Sequence, residues 1–320
     1  MKKTFAQIAQ KYINNQALTD SDIRAVLHWF GGCSLYFPDK QNINNALQAF
    51  VWLYQHVCHV TSNSSIQEEC ASLFAQKFSL SSETAYRLYD NFLQKTNTAM
   101  PTVIGIEGLD GSGKTVQAEK LCTALRKEGK SVYMIDFPQY KSFFGKEIGQ
   151  LLSGTDATSA MNLDEKSMCL WYALDRWQTI QSLQMERYDY VIFNRYTLSN
   201  VVYQTARRYN DFHQELAEWI FALEHQQLML PVPDMYIYLD TKEEFSGENV
   251  LKKGERAYTQ GLDVYEKSQS LLAACHRIYR KLADEIHEIK IVDCVDREGR
   301  LRSVEAIGAE VLAIVEGHGL

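Results

Sequence analysis

The residues with the clearest chemical pattern run from Gly108 to Thr115 and read GLDGSGKT. They fit G-x-x-x-x-G-K-[ST] at every position and follow the short β-branched run 103–106. In this pattern the glycines turn backbone N–H groups towards phosphate oxygens, the lysine reaches the outer phosphates and the hydroxyl binds Mg²⁺. The pattern predicts a phosphate-binding loop, and the alternative is a glycine-rich turn without a ligand. The residues expected to contact the nucleotide phosphates are Gly108, Asp110, Gly111, Ser112, Gly113, Lys114 and Thr115, with Thr115 on the metal.

Composition and charge exclude several other functions. The 320 residues are 46% apolar and 23% charged, which is typical of a globular protein and suggests two domains. The start of the chain lacks the apolar core of a signal peptide and no apolar run reaches membrane-spanning length, so we expect a cytoplasmic protein without a membrane partner. The net charge of −7, without a strongly basic region, argues against nucleic acid as a partner. Scattered cysteines and histidines without C-x-x-C or H-E-x-x-H spacing predict reduced thiols and no zinc.

The first 98 residues have the periodicity of helices. Thr19 and Asp22 form a capping-box pattern, and the apolar residues of 23–30 then recur at helical spacing. Further helical patterns occupy 43–57, 66–74 and 85–92. The aromatic residues expected in the core of this bundle are Trp29, Trp52 and Tyr86. No pattern in this region indicates a function.

The pattern changes near residue 100. The polar stretch KTNTAM precedes Pro101, so we predict a helical domain of unknown role at 1–98 and a second domain at 99–320. In the second domain strands alternate with helices, which predicts an α/β fold with a parallel sheet covered on both faces. The predicted strands are 103–106, 131–137, 190–193, 235–239 and 289–292, and the predicted helices are 116–127, 168–184 and 198–208.

Polar residues follow the predicted strands at the carboxyl edge of the sheet. They occur at Asp110, in FPQY at 137–140, in NRY at 194–196 and at Asp240. Because ligands of parallel sheets bind beyond the carboxyl ends of the strands, these segments are expected to form one site.

Six motifs lie in the order of one family between residue 103 and about residue 295: IEGLDGSGKT, FPQY, YALDR, NRYTLSNVVYQ, PDMYIYLD and GLDVYEKSQSLLAACHRIYRKLA. In these motifs the chain resembles the thymidylate kinase family of P-loop nucleoside monophosphate kinases. The resemblance implies a P-loop NTPase fold, a three-layer α/β/α sandwich with a five-stranded parallel sheet, here preceded by a small all-α domain. It also implies phosphoryl transfer from ATP, with Mg²⁺, to a nucleoside monophosphate, with dTMP favoured, in a homodimer.

The spacing of the motif residues suits an acceptor nucleotide. Arg195 follows a buried strand, where a guanidinium can fork onto phosphate oxygens. Tyr172 and Arg176 are spaced i, i+4 on one helix face, which suits a ring against the base and a donor to a base carbonyl. The resemblance adds Arg256 of the lid, so that the expected catalytic residues are Lys114, Arg195 and Arg256.

The resemblance assigns further roles in the acceptor site. It places Asp110 near the 3′-hydroxyl, Asn200 at the base and Tyr203 where it crowds the 2′ position of the sugar. The full predicted acceptor set is Asp110, Phe137, Tyr140, Tyr172, Arg176, Arg195, Ser199, Asn200, Tyr203 and Gln204.

Several of these assignments have a structural alternative. Tyr172 as a core residue is one of them. Helix-surface positions are the alternative for Asn200, Tyr203 and Gln204, and a solvated loop is the alternative for Lys252, Lys253 and Arg256. We expect Asp263 and Glu266 at the surface unless the lid folds over the nucleotide.

Three residues depart from the family pattern. Asn194 replaces an Asp associated with Mg²⁺, Gln139 stands where related sequences often have Arg, and Val264 also replaces a frequent Arg. These changes leave three hypotheses open: a dTMP kinase, a kinase for dUMP, UMP, CMP or a modified nucleotide, and a degenerate regulatory module that binds nucleotides.

Overall fold

The computed structural model describes residues 5–19, 22, 48–49, 51–53, 64–78, 101–154, 159–228, 230–241, 245 and 262–318. The chain divides into two compact units, Met1–Pro101 and Thr102–Leu320. The division into functional domains at residues 98 and 99 stays a prediction. Among the described residues, no helix combines the length and apolar character needed to span a bilayer.

The first unit contains helices at Phe5–Ile13 and Ser64–Lys77. The capping-box pattern is confirmed, since the Thr19 backbone N–H donates to Asp22 Oδ2 at 2.9 Å and the Asp22 N–H donates to Thr19 Oγ1 at 3.3 Å. The Trp52 ring packs against Phe74, with centroids 5.6 Å apart. The predicted helix at 23–30, Trp29 and Tyr86 lie outside the described residues.

The second unit is built on a five-stranded parallel sheet, as predicted. In spatial order the strands are β2-β3-β1-β4-β5. Their bounds are β1 Thr102–Glu107, β2 Val132–Asp136, β3 Tyr190–Asn194, β4 Met235–Asp240 and β5 Ile289–Asp293. All five were predicted within about one residue at each end, because buried parallel strands appear in sequence as short apolar runs.

Helices connect and cover the strands. They are α1 Lys114–Lys127, α2 Phe143–Ser153, α3 Glu165–Ile180, α4 Thr197–Tyr209, α5 Gln214–Phe221, α6 Gln269–Glu285 and α7 Val304–His318. The chain after α5 continues as a π-helical turn, Ala222–Gln227, in which Leu228 N–H donates to Leu223 O at 2.9 Å. The prediction for α3 began late, because Asp164 caps the helix by accepting from Ser167 N–H at 2.9 Å.

Alternate residues of β1 face opposite layers. Ile104 and Ile106 belong to the apolar core shared with Leu121 of α1 and Val311 of α7. The neighbouring Glu107 instead accepts from Ser199 of α4 and Tyr279 of α6 on the other face. The sheet therefore lies between two helical layers, which confirms the three-layer α/β/α prediction.

The register of the sheet brings the predicted site segments together. Asn194 at the end of β3 pairs with Ile106 of β1 and with Asp136 of β2. The segments that follow these strands consequently start side by side at the carboxyl edge. One of them contains a cis peptide bond between Phe137 and Pro138.

Candidate active site

The loop between β1 and α1 has the shape of an anion cradle. Gly108 has φ 146°, and a Cβ there would lie 2.7 Å from Ser112 Oγ and 2.8 Å from Leu239 O, so only glycine fits. Gly113, with φ 88°, precedes the first residue of α1. The Lys114 Nζ donates to Gly108 O at 3.1 Å and to Leu109 O at 2.5 Å, and this side chain is buried. The loop therefore brings the Lys114 ammonium group and the N-terminus of α1 together, and both attract anions.

Neutral oxygen atoms suited to a hard cation lie at the start of α1 and at the end of β3. Asn194 Nδ2 donates to Thr115 Oγ1 at 3.0 Å. Asn194 Oδ1 is buried and has no hydrogen-bond partner among the described residues. Because Mg²⁺ prefers oxygen ligands, the Thr115 hydroxyl and the Asn194 amide oxygen fit such an ion.

Arg195 is held in an uncommon conformation directly after β3. Its φ is 65°, in the left-handed region that non-glycine residues rarely adopt. Arg195 Nη2 donates to Asp110 Oδ1 at 2.6 Å, and the guanidinium carbon lies 5.3 Å from the centroid of the Tyr203 ring. Burial opposes the charge, yet Asp110 raises the pKa of Arg195 well above its usual value. The result is a permanent cation facing the phosphate loop.

A buried carboxylate beneath Arg195 fixes the start of α4. Glu107 accepts from Tyr196 N–H at 2.8 Å and from Tyr279 OH at 2.9 Å, and also from the Ser199 hydroxyl. Burial raises the pKa of Glu107. Ser199 Oγ also accepts from Arg195 Nη1 at 3.3 Å. Ser199 therefore links Glu107 to Arg195, and its role as a direct ligand stays a prediction.

These segments surround one cavity that is open to solvent and contains about 520 Å³ of space, part of which is open solvent. Every predicted acceptor residue except Gln204 lines it. The full lining is Asp110, Phe137, Pro138, Tyr140, Leu152, Tyr172, Arg176, Arg195, Ser199, Asn200, Tyr203, Asp263 and Tyr265.

Three of the predicted acceptor residues lie on α4 and point away from solvent. Asn200, Tyr203 and Gln204 are all buried, so the alternative of solvent-facing positions is wrong. Gln204 lies outside the cavity lining: its Nε2 donates to Tyr265 OH at 3.5 Å, and its Oε1 accepts from Arg207 at 3.0 Å. Gln204 therefore contacts Tyr265, which lines the cavity, and its expected contact with the acceptor stays a prediction.

The far end of the cavity contains a donor and an acceptor held by one carboxylate. Arg176 Nε and Nη2 donate to Glu224 at 2.7 and 2.5 Å. Asn200 Nδ2 donates to Glu224 at 2.9 Å and to Cys169 O at 3.1 Å, whereas Asn200 Oδ1 has no hydrogen-bond partner among the described residues. Burial alone would raise the pKa of Glu224, but Arg176 and the hydrogen bonds hold it below its usual value.

Asp263 and Glu266 are buried and not at the surface, where they were expected unless the lid folds over the nucleotide. They are only 4% and 7% exposed. Asp263 Oδ1 accepts from Tyr265 N–H and from Glu266 N–H, both at 2.9 Å, which folds this segment into a turn against the cavity. The sequence motif GLDVYEK contained this turn, but no periodicity indicated that it is buried.

Gln139 and Val264, two of the residues that depart from the family pattern, contact neighbouring residues. Gln139 Nε2 donates to Asp136 O at 2.5 Å, and its backbone N–H donates to Asp175 Oδ2 at 2.8 Å. Val264 is close to Gly154, where a Cβ would lie 2.4 Å from the valine methyl. The lid residues Lys252, Lys253 and Arg256 lie outside the described residues, so the role of Arg256 stays a prediction.

Comparison with known proteins gives one consistent result. A family model for thymidylate kinase matches residues 106–302. Thymidylate kinase of Mycobacterium tuberculosis is 33% identical over 184 residues, which cover 57% of this chain and 85% of that protein. A probable thymidylate kinase of Pyrococcus abyssi is 26% identical over 214 residues, covering 66% of this chain and 94% of that protein. A solved thymidylate kinase structure from Candida albicans matches with a TM-score of 0.50 and 25% identity, over 69% of this chain and 93% of that one.

Proposed function

The chain belongs to the thymidylate kinase family, and we propose that it transfers the γ-phosphoryl group of ATP to dTMP, giving dTDP. The observation that carries this proposal is the single cavity in which the Arg195 cation, the base-facing Arg176 and Asn200, and the Asp110 end of the phosphate loop meet. A nucleoside monophosphate has a phosphate for the cation and a base for the donor and acceptor, with a sugar between them.

The two cations of the site act on the phosphates. Lys114 holds the donor phosphates on the loop, and Arg195 holds the acceptor phosphate opposite them. Phosphoryl transfer depends mostly on positioning and on neutralising charge, so no general base is required. Thr115 and Asn194 would hold Mg²⁺, which when bound neutralises phosphate charge.

The remaining cavity residues place the nucleoside. Asp110 lies beside Arg195 and is positioned to accept from the 3′-hydroxyl. The Tyr172 ring packs on the base, while Arg176 donates to a base carbonyl and Asn200 Oδ1 accepts from a ring N–H. These two groups match thymine and also uracil, so dUMP is the second candidate acceptor.

An acceptor panel tests the proposal. The full chain is incubated with ATP–Mg²⁺ and each of dTMP, dUMP, UMP, dCMP and CMP, and diphosphate formation is followed. We expect the highest kcat/KM with dTMP, then dUMP, and about a hundredfold less with dCMP, because mismatched polar groups would remain buried and unpaired. A preference for a cytosine nucleotide, or no product with any acceptor, would contradict it.

A homodimer is supported by an exposed apolar face. Leu170 and Trp177 are spaced i, i+7 on α3 and are each 38% exposed, and Phe143 on the adjoining α2 is 64% exposed. A second copy of the chain would cover this face. Light scattering should give twice the chain mass, and Trp177→Glu should give the single-chain mass; a wild-type monomer would contradict the dimer. The cytoplasmic location stays a prediction.

A further inference from the structure

Behind the base end of the cavity lies a buried carboxylate that no sequence motif indicated. Glu224 is fully buried in the π-helical turn Ala222–Gln227. Besides its bonds to Arg176 and Asn200, it accepts from Thr197 Oγ1 at 2.7 Å. It thus joins α3, which carries Arg176, to α4, which carries Asn200. Single π-helical turns of this kind occur frequently at functional sites.

The chemistry of a carboxylate determines which atoms remain for a ligand. An ionised carboxylate only accepts hydrogen bonds. The Asn200 NH₂ group faces two acceptors, Glu224 Oε1 and Cys169 O, so the amide cannot rotate without placing its oxygen against oxygen. Asn200 Oδ1 is consequently left as the acceptor of a residue that lines the cavity. Arg176 donates to Glu224 through Nε and Nη2, so its Nη1 takes no part in this ion pair.

We propose that Glu224 is the positioning residue that sets base selectivity, by fixing a donor on Arg176 and an acceptor on Asn200 at the cavity. This pair complements the adjacent O4 and N3–H of thymine or uracil. It opposes cytosine, which has an amino group and an unprotonated ring nitrogen at the same positions. The inference rests on the proposed function, since it concerns the acceptor base of that reaction.

A purely structural role explains the arrangement less well. A buried ion pair often stabilises a protein no better than apolar residues of similar volume, because both charges lose their hydration. Here the pair is bidentate, and its carboxylate also bonds to a second cavity residue, Asn200. The same carboxylate therefore orients both groups that face the base.

The variant Glu224→Gln tests this role with little change in shape. Both oxygens of Glu224 accept from Arg176, so the introduced NH₂ would face the guanidinium in either orientation, and at the Oε1 position it would also face the Asn200 NH₂. Arg176 must therefore turn. We expect the ratio of kcat/KM for dTMP to that for dCMP to fall at least about tenfold. The change should appear mainly as a higher KM for dTMP, while the KM for ATP stays within about twofold.

Two further variants separate selectivity from folding. Thr197→Val removes a hydrogen bond to Glu224 but leaves those to Arg176 and Asn200, so it should lower the melting temperature without changing the dTMP/dCMP ratio. Glu224→Asp retains the charge that Arg176 needs, so it should fold even where Glu224→Gln does not. Its shorter side chain cannot keep all the bonds, and an intermediate loss of selectivity is expected.

The outcomes distinguish this inference from the proposed function. If the wild type phosphorylates none of the acceptors, the proposed function fails and the inference falls with it. If the wild type prefers dTMP but folded Glu224 variants keep its dTMP/dCMP ratio, only the inference is overturned. Loss of the fold in both Glu224 variants would also overturn it, because Glu224 would then be a structural residue.

Discussion

Tyr203 is the residue that bears most directly on the sugar of the acceptor. It is 5% exposed, its ring lies under the Arg195 guanidinium, and its OH donates to Asp110 Oδ2 at 3.3 Å. With the phosphate on Arg195 and the base on Asn200, the sugar lies against this ring. An added 2′-hydroxyl without a partner there costs about 1–3 kcal/mol, or roughly ten- to hundredfold in selectivity. We therefore predict that dUMP is preferred over UMP.

The variant Tyr203→Ala should narrow this preference by improving kcat/KM for UMP. Tyr203→Phe is the matched control: it keeps the ring and loses only the hydroxyl, so the dUMP/UMP ratio should remain. Measuring both ratios separates the effect of the ring from that of the bond to Asp110. Equal use of UMP and dUMP by the wild type would show that the sugar lies elsewhere.

The position of Asn194 leads to a prediction about the metal. Its amide lies against the Thr115 hydroxyl, so Asn194→Asp places a negative charge beside the proposed Mg²⁺ ligands. The Thr115 hydroxyl can then donate to the carboxylate. Because a nearby charge attracts Mg²⁺ strongly, we expect the half-saturating Mg²⁺ concentration to fall about tenfold. Initial rates against free Mg²⁺ at fixed ATP measure this, and an unchanged or higher requirement would contradict the proposed ligands.

Residue-level prediction succeeded where a local pattern existed. Ser199, Asn200 and Tyr203 were placed in the acceptor set through the motif NRYTLSNVVYQ, and all three line the cavity. Glu224 was missed because its partners Thr197 and Arg176 lie 27 and 48 positions away along the chain. Such long-range polar contacts leave no periodic signal in a single sequence.

At the scale of elements, Gly145 controls how α2 packs on the FPQY turn. A Cβ at Gly145 would lie 1.9 Å from Gln139 O and 2.9 Å from Tyr140 N, both backbone atoms. Gly145→Ala must therefore displace the turn that contributes Phe137, Pro138 and Tyr140 to the cavity. Because small misplacements of a site are costly, we expect the KM for dTMP to rise at least about tenfold, with the KM for ATP little changed.

Gly317→Ala is the control for this substitution. It adds the same methyl group near the end of α7, where nothing lies within 4 Å of the new atom. Steady-state kinetics and melting temperatures of both variants provide the comparison. If Gly145→Ala binds dTMP as the wild type does, the turn does not depend on this close contact.

The elements themselves were predictable to different degrees. Strands of the parallel sheet are short apolar runs, so the positions of all five were predicted within about one residue at each end. Helix ends were less accurate: α3 ends at Ile180, although the prediction extended to residue 184. Helix ends depend on capping and on tertiary packing, which local periodicity does not report.

For the whole molecule, the order of motifs was sufficient for the fold of the second unit. Parallel strands alternating with helices allow few arrangements, and the phosphate loop after the first strand selects one of them. The turn that contains Asp263 could not be predicted, because its burial depends on packing against the assembled cavity rather than on its own sequence. The helical periodicity of the first unit carries no chemical pattern, so the sequence predicts no role for it.

The central claim is that this cavity and loop transfer a phosphoryl group rather than only bind nucleotides. The most direct measurement is dTDP formation by the full chain with ATP, Mg²⁺ and dTMP, compared with folded Lys114→Ala. The account predicts one dTDP for each ADP, with turnover reduced on the order of a hundredfold or more by Lys114→Ala, since a cation on the transferring group is lost. Binding of both nucleotides by the wild type without dTDP would contradict it and would identify a degenerate regulatory module.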